Sequence, residues 1–583
     1  MTGQMQNPGA KCSKKNRGKM KKIKLLLINL LIVSVIPAIA QSTHTYIQSG
    51  DSTDLREEWF LLDPETDKVQ GVSVEKTYNT ILKDRPSRTV LVAVMDSGID
   101  IDHEDLKDII WVNEDEIAGN GIDDDKNGYA DDVHGWNFIG GKDGNVAADT
   151  YELTREYARL KAKYENVDEN KIRRKDRKEF EYWKTVADRY QSYKAKSEKD
   201  YTTCQQQLDS YRSFYKNLKS SIELLQNTYG IEDIPPAMLD TLKTDDKDIE
   251  LAAYFIKVIY QNTSTDAKLD DIVDEFEYVI DHNNDVCDHF RTAVEIGYNP
   301  DYDSRAIVGD NYNDTEERYY GNNDVKGPDP SHGTNVAGVI GAARNNGLGI
   351  DGIADNVRIM AVRVVPNGDE RDKDIANGIY YAVDNGAQII NMSFGKGYSP
   401  QKEVVDKAVK YAESKGVLLV HSAGNSKDNN DVDDSFPTRF YKNGKEAENW
   451  LEVGASASGA DGTELIGSFS NYGKKTVDFF APGVDIYSTD PGDNYDSVDG
   501  TSFSSPVTSG VAAMLMSYFP ELTANEIRDI LRESTRKYDG LKVRKPDTLE
   551  EVRFDQLSIS GGIVNAYEAV KLAMRISQEK KPE

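Results

Sequence analysis

Short apolar runs recur along most of the chain, at residues 90–95, 357–364, 388–392, 417–421, 451–453 and 477–480. They are too short for free-standing helices and several are dense in Val, Ile and Leu. That composition suits strands buried on both faces of a sheet. Stretches with helical spacing of apolar positions separate them, notably 374–384 and 401–414. Strand and helix in alternation predict an α/β domain built on a mainly parallel sheet. The pattern changes between residues 146 and 300. From Asn145 to Tyr229 there is neither Gly nor Pro, and charge is dense. Apolar or aromatic side chains fall at Cys204, Leu208, Tyr211, Tyr215, Leu218, Ile222, Leu225 and Tyr229. Their spacing alternates between four and three, as along a coiled-coil seam. Trp183, Val186, Tyr190 and Tyr193 extend the seam upstream; Gly230 and Pro235-Pro236 break it, and a second helical stretch covers 249–296. A coiled-coil-like helical hairpin or small bundle over 146–300 thus interrupts an α/β domain, whose parts are 89–145 and 301–575.

The N-terminus departs from both patterns. A basic stretch at 20–24 leads into an apolar run at 25–36 and then Pro37-Ala38-Ile39-Ala40. This predicts a signal peptide over 1–40, with the start at Met20 and a mature chain from Gln41 that is periplasmic or extracellular. No later run is long enough to span a membrane. Residues 41–88 are too few for a separate folding domain and read as a short docking arm with a helix. The charged tail, 576–583, is expected to fray.

Composition narrows the function. The formal net charge is −29, and the leader contributes only basic residues to it. An exported chain this acidic is not expected to bind nucleic acid. Of three cysteines, Cys12 lies in the leader while Cys204 and Cys287 lie in the helical insertion. The α/β domain therefore has no thiol nucleophile and no disulfide framework. A Cys204–Cys287 bond suits an oxidising compartment, but spacing alone leaves open whether the two Cα atoms come within reach.

Four blocks carry chemistry. Asp96-Ser97-Gly98 ends the first apolar run, where open α/β sheets place functional groups. His332 precedes Gly333-Thr334 and a small-residue helical stretch. Asn425 follows Gly424, just past the run at 417–421. Ser502 follows Gly500-Thr501 and opens an apolar helical stretch, with Pro506 close to its start. An orienting carboxylate, an imidazole base, an amide donor and a hydroxyl nucleophile are what acyl transfer through serine requires. The order Asp, His, Ser, with these local contexts, resembles the subtilisin-like serine peptidases (subtilases) over roughly 89–140 and 302–570.

That resemblance implies a subtilisin-like three-layer α/β fold and an endopeptidase working through an acyl-enzyme. It assigns catalysis to Asp96, His332 and Ser502, oxyanion binding to Asn425, and pairing with an extended peptide to Ser393, Phe394 and Gly395. It needs no cofactor for catalysis, and the partner is a protein or peptide substrate. Asn335 stands where the family usually has a second His; Phe503 and Ser504 stand where Met and Ala are common. The alternative is a catalytically latent subtilase-like protein whose insertion binds a partner.

One further loop has metal-binding character. Asp123, Asp125, Asn127 and Asp131, with a turn Gly at 128, follow the spacing of a calcium loop. The usual terminal Glu is absent, so Asp132 or a distant carboxylate would complete a structural calcium site. His282 and His289 are a weaker zinc candidate; a solvated helix end accounts for them better.

Overall fold

The computed structural model describes residues 57–261, 268–459 and 465–580. The predicted signal peptide and the first residues of the arm lie outside them. The nine strands of the main sheet are β1 (Val90–Asp96), β2 (Gly135–Asn137), β3 (Val357–Arg363), β4 (Ile389–Met392), β5 (Leu418–Ser422), β6 (Trp450–Ser456), β7 (Phe479–Pro482), β8 (Arg536–Lys537) and β9 (Gly562–Ile563). Their spatial order is β8-β9-β7-β6-β5-β4-β1-β3-β2. Every pair is parallel except β8 with β9. The expected α/β class with a mainly parallel sheet is therefore observed. The strands that sequence pattern does not reveal are β2, β8 and β9, which are too short to carry an apolar run.

The helices used below are α1 (Glu152–Tyr164), α2 (Arg177–Tyr229), α3 (Lys247–Gln261), α4 (Leu269–Thr292), α5 (Ser331–Gly341), α6 (Asp372–Asp384), α7 (Lys402–Lys415), α8 (Thr501–Tyr518), α9 (Ala524–Glu533) and α10 (Ala566–Lys580). Side chains alternate across a strand, and this splits the core in two. Val92, Val94, Ile359, Leu418 and Val420 face α5 and α8, meeting Val336, Val339, Val507 and Val511. Ala93, Met95, Met360, Val362 and Leu419 face α6 and α7, meeting Ile375, Ile379, Val405 and Val409. Helices on both faces of one sheet give three layers. The chain passes from β3 to β4 across β1, so β1 marks the point where strand order reverses. Its carboxyl end is where such sheets open a crevice.

The arm is part of this core. Trp59, Phe60 and Leu61 are buried, and Trp59 Nε1 donates to Asp485 O at 2.9 Å. At the other end, α10 continues through Lys580, whose Nζ lies 2.6 Å from Glu526. The ordered chain thus runs beyond residue 575, because the helix end is tied to α9 where fraying was expected.

The chain divides into two compact units, Ser192–Val294 and a larger one holding the sheet. Residues 146–191 and 295–300 therefore pack with the sheet domain. Leu153, Tyr157, Leu160, Phe180, Trp183 and Tyr190 form a cluster there with Tyr298. In the smaller unit, Leu218, Ile222 and Leu225 of α2 pack with Ile256 and Ile259 of α3 and Ile272 and Phe276 of α4. A disulfide joins Cys204 of α2 to Cys287 of α4, with Cα atoms 5.6 Å apart. The heptad seam is buried at Cys204, Leu208, Leu218, Ile222 and Leu225, but Tyr193 and Tyr229 are exposed. Phe214, off the predicted seam, lies 5.2 Å from Phe255 and 4.7 Å from Phe276, ring centre to ring centre. Two partner helices require two adjacent stripes on α2, and a single heptad seam describes only one of them.

Candidate active site

The site starts at the end of β1. Gly98 has φ +130°, and a Cβ there would lie 2.1 Å from Lys326 O. Only glycine lets the chain turn sharply off the strand at that point. A Cβ on Gly333 would lie 2.1 Å from Gly98 O and 3.2 Å from Asp96 Cβ. The first turn of α5 therefore presses against the turn after β1, and His332 arrives beside Asp96. His332 Nδ1 lies 2.7 Å from Asp96 Oδ1, which also accepts the Ser97 N–H at 2.7 Å. Asp96 is buried. Burial works against a charged imidazole, but the Asp96 carboxylate, by charge and hydrogen bond, and then Asp329 outweigh it. The His332 pKa is raised above its ordinary value. Asn335, one turn further along α5, is buried and donates to Thr489 O, fastening the helix to the hairpin Ile486–Asp490/Asn494–Val498.

Ser502 is the second residue of α8. Pro506 lies four residues on and has no N–H, so it leaves the Ser502 carbonyl without its helical donor. Ser393 Oγ supplies the bond instead, at 2.7 Å. That hydroxyl also accepts from Asn391 Nδ2 at 2.9 Å and lies 2.7 Å from Ser505 Oγ. Ser502 Oγ donates to Ser393 O at 3.3 Å. Phe503 is buried, with its ring centre 5.7 Å from that of His332, so the start of α8 stands beside the imidazole. Ser504 Oγ donates to Ala481 O at 2.9 Å.

Asn425 follows β5 through Gly424, φ +105°, whose missing side chain leaves room for Asn471. Its Oδ1 accepts both the N–H and the hydroxyl of Thr501, each at 2.9 Å. With the oxygen so engaged, the amide nitrogen is the end left to donate. Thr501 Oγ1 in turn accepts the Gly424 N–H at 3.0 Å. Asn471 braces the loop, accepting from Ser426 N and Asp428 N and donating to Ala423 O. Sequence pattern does not mark Thr501 or Asn471 as part of the site. Neither lies in an apolar period, and only the neighbourhood of Gly500-Thr501 offers a signal.

The segment after β4 is held from below. Phe394 is buried in the core and Gly395 is exposed. The buried Lys396 pairs with Glu152 of α1 at 2.9 Å and with Asp372 at 2.8 Å. Both cations around Glu152, Lys396 and Arg155, hold its carboxyl at about 2 against the opposing effect of burial.

The acidic loop gathers part of the predicted set. Glu116, Asp123 and Asp125 bring carboxylate oxygens within 4.8 Å of one another. Asp131 instead accepts from the N–H groups of Asn120 and Gly121, and Asn127 Oδ1 accepts from Tyr129 N. Asp132 bonds Tyr381 OH at 2.6 Å. Burial, and then the charge of Asp125, push Asp132 up to about 6 against three hydrogen bonds that favour its ionised form. Glu116 lies upstream of the loop motif, so spacing within the motif does not point to it.

Comparison with known proteins identifies the family. The model of the Subtilase family matches residues 87–549. The chain belongs to the subtilase family. It is 39% identical over 242 residues to a thermophilic serine proteinase of Bacillus sp. (strain AK1), covering 41% of this chain and 54% of that one. It is 37% identical over 204 residues to subtilisin DY of Bacillus licheniformis, covering 34% and 68%. The chain thus spans about half the length of the first of these relatives and about two thirds of the second. A solved protease from Pseudoalteromonas arctica is 29% identical, with 43% of this chain and 78% of that one covered and a TM-score of 0.35. Among the described residues, no helix is long and apolar enough to cross a membrane.

Proposed function

We propose that this subtilase is an exported serine endopeptidase with Asp96, His332 and Ser502 as its catalytic triad. The observation that carries this reading is the Asp96–His332 contact at the carboxyl end of β1, with the first turn of α8 packed against the same imidazole. Asp96 holds the Nδ1 side of the ring, which leaves Nε2 to act as the base. An entering peptide turns Ser502 Oγ off the Ser393 carbonyl and towards His332. Oγ attacks the scissile carbonyl as His332 takes its proton, and the imidazolium then protonates the departing amine. Asn425 Nδ2 and the Ser502 N–H at the start of α8 stabilise the oxyanion. Water, deprotonated by His332, releases the acyl group.

Export rests on the basic and apolar leader, and the Cys204–Cys287 pairing suits the same oxidising compartment. Calcium has a structural part in this reading. Glu116, Asp123 and Asp125 offer three hard oxygens to such a cation. The serine chemistry itself uses no metal.

Labelling of the purified protein with a fluorophosphonate tests the nucleophile. Wild type is expected to label and Ser502→Ala is not. Equal labelling of both, or none in a folded wild type, would reject the assignment.

A further inference from the structure

His421 has no part in the cycle above, yet it lies four residues before Asn425 and is fully buried in β5. Its Nε2 lies 2.7 Å from Phe394 O and its Nδ1 lies 3.0 Å from Glu452 Oε1. A peptide carbonyl can only accept, so Nε2 carries a hydrogen. The other oxygen of Glu452 accepts Trp450 Nε1–H at 2.9 Å. His421 and Glu452 therefore share one further proton, and its position on the ring makes a buried imidazolium–carboxylate pair. Burial opposes that charge, but Glu452, the Phe394 carbonyl and Glu370 together raise the His421 pKa above its ordinary value.

The consequence lies in the next peptide unit. In a trans peptide the C=O and the following N–H point in opposite directions. The Phe394 carbonyl is drawn inward onto His421, so the Gly395 N–H is turned outward, on an exposed residue. A Cβ on Gly395 would sit 3.8 Å from His421 Nε2, so the ring edge lies close to this peptide unit. We propose that His421, paired with Glu452, is a positioning residue that holds the Phe394 carbonyl inward so that the Gly395 N–H is presented to the backbone of an extended peptide substrate. This rests on the peptidase reading.

The charged groups around the ring are few. Glu452 lies on the neighbouring strand, with Asp478 and its partner Arg439 behind it, and Glu370 approaches from the loop before α6 beside Lys396. Burial, and then Asp369, push Glu370 up to about 7. It is present in every variant below, so a pH response of its own appears in all of them.

The test compares peptide kinetics of wild type, His421→Leu and Glu452→Gln, each also labelled with a fluorophosphonate. His421→Leu should raise KM for a peptide of six or more residues about tenfold, the scale of one lost buried hydrogen bond. Its kcat and labelling rate should stay within about threefold. In Glu452→Gln the amide oxygen can accept from Trp450 while the amide nitrogen donates to Nδ1. A neutral ring then keeps Nε2–H on Phe394, and KM should stay near wild type. In wild type, loss of the shared proton at high pH lets Nδ1–H turn to Glu452 and leaves Nε2 without a hydrogen for Phe394. Wild-type KM should therefore climb on the alkaline side, and Glu452→Gln should lose that climb. A folded His421→Leu with unchanged KM overturns the proposal. So do identical pH profiles for wild type and Glu452→Gln, which decide the matter even where His421→Leu does not fold. Absence of labelling in wild type would instead overturn the peptidase reading, and this inference with it.

Discussion

At the scale of single residues, the site is a set of side chains held by specific hydrogen bonds. Asn425 is the clearest case, because Thr501 occupies its amide oxygen twice and leaves the nitrogen as the end able to donate. Asn425→Ala should lower kcat by about 10²–10³ with little change in KM, the scale established for loss of the oxyanion-hole amide in subtilisin. Equal loss in KM and none in kcat would place Asn425 in ground-state binding. In the proposed cycle the Asp96–His332 pair sets the pH dependence. Its imidazolium is stabilised, so the folded pKa is raised. Any stability it gives is complete below the unfolded value and is lost as pH rises through the folded one. Activity runs the other way, because the base must be neutral. The acid limb of kcat/KM should therefore fall above pH ~6.5, the ordinary value for histidine. Asp96→Asn should move that limb down and reduce kcat by about 10⁴. A flat profile from pH 5 to 8 in wild type would remove His332 as the base.

At the scale of elements, legibility followed periodicity. The six longer strands could be read because each is an apolar run buried on both faces. The His332 helix could be read because its small residues are what lets α5 touch the turn at Gly98. Short strands such as β8 and β9 carry no run to detect. The second stripe of α2, marked by Phe214, depends on how many helices meet it. The acidic loop shows the same limit, since Asp123 and Asp125 follow a motif while Glu116 joins them only through folding. If that trio holds calcium, the ion stabilises the fold by mass action. A concentration 100 times the dissociation constant adds about 2.7 kcal/mol. Thermal unfolding should shift upward with calcium in wild type. Glu116→Gln should lose most of that shift while peptide turnover stays within about twofold. An equal shift in both would place the ion elsewhere.

At the scale of the molecule, the insertion is two things. Its base belongs to the sheet domain, and Lys396 links α1 to the segment that includes Gly395 through a buried pair with Glu152. Breaking such a pair from one side costs about 3–5 kcal/mol, so this part is not removable without loss. Ser192–Val294, by contrast, has its own core and its own disulfide. The two ends left by its removal are already tied together, since Tyr190 OH donates to Tyr298 O at 2.8 Å. Replacing 192–294 with a short Gly-Ser linker should therefore leave a folded enzyme that labels with a fluorophosphonate and cleaves short peptides at near wild-type rates. If the helical unit selects protein substrates, the same variant should change the rate or pattern of cleavage of folded proteins by several-fold. Unchanged cleavage of both classes would reduce the unit to a spacer. Loss of both, in a protein that still folds, would show that the site depends on the unit itself.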